Sequence, residues 1–166
     1  MKRELQEVIM KDFPFMMRGQ SLDEQKAAGG IYDLYGAFGM EIGDGWFNLL
    51  YDLCKEIEDI YIKEGKSVDI IIDQIKEKFG ALRFYYHHSD DKNTIHAIDF
   101  LGTGTMRLYP DDKDILIKKK IKELVSEYEK KSKSICEVCG SEGVLRTERP
   151  WIRTLCDACS KSDETC

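Results

Sequence analysis

The sequence predicts an α+β fold: a small antiparallel sheet, two main helices and a C-terminal zinc ribbon. Three observations carry this. Two stretches, 45–63 and 112–133, place apolar residues at helical spacing. Between them lie short β-branched and aromatic runs with strand character. Near the end, four cysteines stand as two Cys-x-x-Cys pairs with sixteen residues between them.

Taken in order, residues 2–11 read as a short helix. The stretch 13–45 is irregular and glycine-rich, and its aromatics (Phe13, Phe15, Tyr32, Tyr35, Phe38) suggest that it packs. Loops of this length are usually functional or tied down by tertiary contacts. The helix 45–63 has Asp44 as its expected cap and Gly65 as its stop. Trp46, Leu49, Leu50, Leu53, Ile57 and Ile60 form one apolar face. Strands are expected within 68–109. Residues 68–80 read either as a strand or as a strand running into a helix; strand, turn at Phe79-Gly80, strand is preferred. "TIHAIDFLG" and "TMRLYP" add short strands, and "SDDKN" reads as a turn. The helix 112–133 is capped at Asp111 or Asp112. Its inner stripe is Ile117, Ile121, Leu124, Val125 and Tyr128, and its lysine-rich end suits the negative end of the helix dipole. The division is thus an α+β domain over 1–134, then a ribbon and short tail over 135–166.

Composition limits the function classes. The chain has 166 residues, 42% of them hydrophobic, which is enough to bury a core. No apolar run approaches the ~20 residues of a membrane span, so no membrane partner is expected. The opening "MKRELQEVIMKDF" lacks the apolar stretch of a signal peptide. A reducing cytoplasm is therefore expected, and there paired cysteines favour metal over disulfide. The net charge is −6, with only residues 111–134 positive, at eight lysines against six acids. Duplex DNA is accordingly an unexpected partner. A small anion needs only one or two arginines and remains compatible with this balance.

Cys136, Cys139, Cys156 and Cys159 have the spacing of a zinc site. Each Cys-x-x-Cys turns on a tight knuckle that aims both sulfurs at one ion, and the intervening hairpin brings the second knuckle opposite the first. Four thiolates close the tetrahedron and leave no position for water. The expected cofactor is one structural Zn²⁺ per chain. Arg146, Arg149, Trp151 and Arg153 lie between the knuckles. They read either as an anion and base platform or as a docked tryptophan with solvated arginines.

In "KFGALRFYYHH" alternation sends Leu82, Phe84 and Tyr86 one way, and Arg83, Tyr85 and His87 the other. The second set offers a cation, an aromatic ring and an imidazole in a row, suited to a nucleotide or another planar anion. An exposed tyrosine beside an ordinary ion pair is the plainer reading. Trp46, at a helix start where backbone N–H groups favour anions, is a further candidate for that pocket. "HHSDD" with His96 and Asp99 reads as a charged turn rather than a hydrolytic metal site, because alternation separates His87 from His88. The phosphate-binding loop, the serine nucleophile motif and the dinucleotide fingerprint are all missing. Cys54 reads as a buried structural thiol.

The order of "FPFMMRG", "FGMEIGDGWFNLLYDLCKEIE", "IIDQIKEKFGALRFYYH" and "CEVCGSEGVLRTERPWIRTLCDAC" resembles a family of small, mostly uncharacterised tailed-phage and prophage proteins. The segment between "RFYY" and the last helix is longer here than in many members. The resemblance implies a protein of the host cytoplasm that acts by binding, some such proteins neutralising host defences by sequestering a nucleotide signal or a host protein. The leading expectation is thus a non-enzymatic binding protein for a small anionic ligand, held by Arg83, Tyr85, His87, Trp46, Arg149 and Arg153. The alternatives are a zinc-ribbon nucleic-acid-associated regulator and an inhibitor that binds a host protein, with homo-oligomer formation left open.

Overall fold

The computed structural model describes residues 1–89, 115–148 and 150–163. The strands expected at 94–109, the caps Asp111 and Asp112, and Asp90, Asp91, His96, Asp99, Arg149 and Cys166 lie outside the described residues.

The chain opens with helix α1 (Arg3–Asp12). The stretch 13–45 is more ordered than its composition suggests. It holds a 3-10 turn (Pro14–Met16), α2 (Leu22–Ala27), α3 (Leu34–Phe38) and strand β1 (Met40–Glu41). Ser21 and Glu24 close a reciprocal capping box at the start of α2. The buried Gln25 amide then fastens the loop. Its nitrogen donates to the carbonyls of Gln20 (2.7 Å) and Asp33 (2.8 Å), and its oxygen accepts from the N–H groups of Tyr32 (3.0 Å) and Asp33 (2.9 Å). Phe13 and Tyr35 are core residues, while Tyr32 and Phe38 are exposed.

Helix α4 (Phe47–Lys63) follows a 3-10 turn at Asp44–Trp46. Asp44 does not cap α4, contrary to expectation. Its carboxylate accepts the Lys2 backbone N–H (2.7 Å) and pairs with the Lys2 ammonium (3.3 Å). The far end closes as expected: Lys66 N–H bonds to Tyr61 O and Gly65 N–H to Ile62 O, both at 3.0 Å. This is a Schellman motif.

Strands β2 (Ile70–Lys78) and β3 (Ala81–His88) form an antiparallel hairpin, with a register shift between Ile72 and Gln74. The sheet is not wholly antiparallel. β1 joins the other edge of β2 in parallel, pairing Met40 with Ile75, so α4 serves as the crossover between parallel strands. Helix α5 (Ile115–Lys131) packs on α4 and β3. Its buried residues are the five of the expected stripe. One core joins α1, α4, α5 and the inner sheet face, around Leu50, Ile57, Ile75, Phe84 and Ile121.

As the outer strand, β3 presents backbone groups that a neighbour must satisfy. Side chains of α5 and the turn after it do so: Leu82 N–H bonds to Ser132 Oγ (2.9 Å) and Phe84 N–H to Glu129 Oε1 (3.1 Å). The chain then forms a small hairpin of β4 (Val144–Arg146) and β5 (Arg153–Leu155), and ends in α6 (Asp157–Asp163). Among the described residues, no helix is long and apolar enough to cross a membrane.

Candidate functional site

The β4–β5 hairpin places the second cysteine pair opposite the first. The sulfurs of Cys136, Cys139, Cys156 and Cys159 all lie within 4.8 Å of one another, with Cys139 and Cys156 3.7 Å apart. A tetrahedral ion with sulfur at about 2.3 Å sets its sulfurs about 3.8 Å apart, so the donor set fits one metal ion. The surroundings pull the cysteines in opposite directions. The Ser141 hydroxyl and backbone bring Cys139 down to about 6, while hydrogen bonds with Cys139 and Cys156 hold Cys159 up at about 12. The backbone N–H of Cys159 also points at Cys156 Sγ (3.4 Å).

The cluster is joined to the main body from two sides. On one side, "GDGW" cradles the first knuckle. Gly45 N–H donates to Glu137 O (2.9 Å), and the Trp46 indole donates to Ile135 O (2.8 Å). A Cβ on Gly45 would collide with Cys136 O and Gly140 N, and one on Gly43 with Glu137 O. Backbone approach this close admits only glycine. On the other side, Thr154 Oγ1 donates to Gly80 O (2.6 Å), and Glu137 N–H bonds to Thr154 O (3.0 Å). The ribbon is therefore packed on the β2–β3 turn and on the start of α4.

This arrangement reassigns two expected ligand residues, Trp46 and Arg153. Trp46 is fully buried, and its indole N–H is spent on Ile135 O rather than offered to a ligand. Arg153 directs its Nε (2.7 Å) and a terminal nitrogen (2.6 Å) to one oxygen of the buried Glu137, so it braces the knuckle. Trp151 ties the ribbon to the main domain through its indole N–H, which reaches Glu77 at 3.3 Å, while the ring itself stays 69% exposed. Arg146 pairs with Asp157.

Arg83, Tyr85 and His87 share the outer sheet face, half-buried, as alternation requires. The Arg83 guanidinium donates to the Leu82 carbonyl (3.1 Å) and lies 4.0 Å from Glu129. His87 Nδ1 lies 2.8 Å from Asp73. Lys76, which the sequence reading passed over, is the cross-strand partner of Arg83, and its ammonium stands 5.4 Å from the Tyr85 ring centre. Alternation along β2 was the signal that could have found it. His88 points the other way, buried against Asp69 (3.1 Å) and Tyr61 (3.4 Å), so the two histidines share no ligand position.

No family model matches this chain, and no curated protein or solved structure matches it either.

Two half-sites thus remain. One is a cluster of four cysteine sulfurs that fits one metal ion. The other is a sheet face on which Lys76, Arg83, Tyr85 and His87 stand together.

Proposed function

We propose that this chain is a non-enzymatic binding protein of the phage type. It holds one structural zinc on its four cysteines and captures a small planar anion on the outer face of β2 and β3. Zinc is the natural occupant of a closed four-thiolate site in a reducing cytoplasm. Such a site supplies folding energy rather than catalysis.

The ligand reading rests on one relationship. Lys76 and Arg83 are directly opposed across the β2–β3 ladder, beside the Tyr85 ring. Like charges in that position are destabilising by themselves. A bound anion relieves the repulsion, and Tyr85 with His87 offers ring surface to a planar group. A nucleotide-derived signal of host defence combines both features, in line with the phage resemblance and with action in the host cytoplasm.

Calorimetry of the zinc-loaded chain against cyclic nucleotides and ADP-ribose-type compounds tests this reading. Binding that Arg83→Ala weakens by about tenfold or more supports it, as expected for loss of a charge-assisted contact. Failure of every such compound to bind, together with no nucleotide co-purifying, would sink it.

A further inference from the structure

Phe79 stands where the backbone favours almost any other kind of residue. Lys78 pairs with Ala81, so Phe79 and Gly80 alone reverse the chain. Both have positive φ, +54° and +71°. Two-residue hairpins of this kind favour Asn-Gly or Asp-Gly, and a bulky residue at positive φ is an outlier. Gly80 has a clear reason for being glycine, since a Cβ there would also collide with Leu145. Among the described residues, the Phe79 ring has no such reason in the fold. It is 63% exposed, with the Lys78 ammonium 5.6 Å from its centre. Backbone strain held in place by its surroundings is a mark of function.

A second exposed ring stands at the same corner. Trp151 is anchored to Glu77, whose other oxygen accepts the Gly80 N–H. Leu145 is 37% exposed and continues the apolar surface at Gly80. The Thr154–Gly80 hydrogen bond and the cysteine cluster brace the corner from below. Rigidly held aromatics surrounded by apolar neighbours have the character of an interface hot spot.

The occupant follows from the chemistry of the patch. Leu145 offers no face for base stacking, and a chain of net charge −6 repels a polyanion. Lys78 places positive charge beside Phe79. We propose that the Phe79–Trp151 corner is a docking surface for a protein partner that presents an apolar pocket rimmed by carboxylates.

The test pans a random peptide-display library against the zinc-loaded chain. Expected are enriched peptides with apolar or aromatic anchors next to Asp or Glu. Phe79→Asn and Trp151→Ser should each weaken them by about tenfold or more. Phe79→Asn should also raise the melting temperature, because Asn-Gly suits the turn better. Absence of enrichment overturns the proposal, and so does enrichment that ignores both substitutions. A lower melting temperature for Phe79→Asn does so too, since the ring would then serve the fold. Sedimentation showing self-association that Phe79→Asn abolishes would reassign the corner to a second copy. Binding of a labelled oligothymidylate that Trp151→Ser abolishes would reassign it to single-stranded nucleic acid. Either result overturns the protein-partner proposal.

Discussion

The indole N–H of Trp46 donates to the carbonyl of Ile135 at 2.8 Å, joining the start of α4 to the residue before the first cysteine of the cluster. Gly43 and Gly45, on the same turn, make room for the knuckle backbone. "GDGW" and the cysteine segment are therefore two halves of one joint.

The joint can be weakened at one side chain. Trp46→Phe leaves Ile135 O without its donor and opens a small cavity where the second ring packed, which adds to the loss. Loss of about 1–3 kcal/mol is expected, the usual cost of an unsatisfied buried carbonyl. Denaturant unfolding of the two zinc-loaded proteins measures it; equal midpoints would mean that the bond contributes nothing.

Metal removal should reach beyond the ribbon. The ribbon contacts both the β2–β3 turn and the α4 start, so a chelator should loosen these as well. One zinc per chain is expected by elemental analysis. Its loss should lower stability by at least about 4 kcal/mol, the linkage value for a metal at a thousand times its Kd. Hydrogen exchange would locate the effect, and protection at Gly45 and Leu82 that survives zinc removal would contradict the coupling.

Ser132→Ala tests the guarding of the sheet edge. Ser132 is fully buried and its Oγ accepts the Leu82 N–H. Without it that donor is orphaned, and about 1–3 kcal/mol should be lost. Exposure of the β3 edge should also promote aggregation, visible by light scattering. A variant as stable and as soluble as the parent would show that water replaces the hydroxyl.

Alkaline pH should destabilise the fold. Burial raises the hydroxyls of Tyr35, Tyr61 and Tyr128. Cys54 adds to the effect at Tyr35, the Asp69 hydrogen bond at Tyr61, and the Glu56 hydrogen bond at Tyr128. Each group stays protonated in the folded chain when its unfolded counterpart, near 10, ionises. The stability linked to these hydroxyls is complete below about pH 9 and is lost as pH rises through about 10. Denaturant midpoints at successive pH values should fall above that point, and less steeply in Tyr128→Phe. Unchanged midpoints up to pH 11 would refute the linkage.

How much of this was legible depends on the range of the contacts. The α5 stripe from Ile117 to Tyr128 follows from helical periodicity, and the opposed faces of Arg83 and Leu82 from strand alternation. The metal cluster follows from cysteine spacing. Asp44 was misjudged as a cap because its true partner, Lys2, lies 42 residues away. The ordered loop from Ser21 to Asp33 depends on one buried amide, Gln25, and polar residues in a glycine-rich stretch carry no periodic signal.

The sequence by itself determined the three long helices α1, α4 and α5, the β2–β3 hairpin and the pairing of the four clustered cysteines, because each rests on residues close together in the chain. Only the tertiary structure decided which aromatic and charged side chains stay available. Trp46 is consumed by Ile135, 89 residues on, and Arg153 by Glu137 across the ribbon. Trp151 reaches Glu77, 74 positions earlier, beside the turn that exposes Phe79. Burial and pairing depend on which distant surfaces the fold brings together, and no local pattern of residue types specifies that.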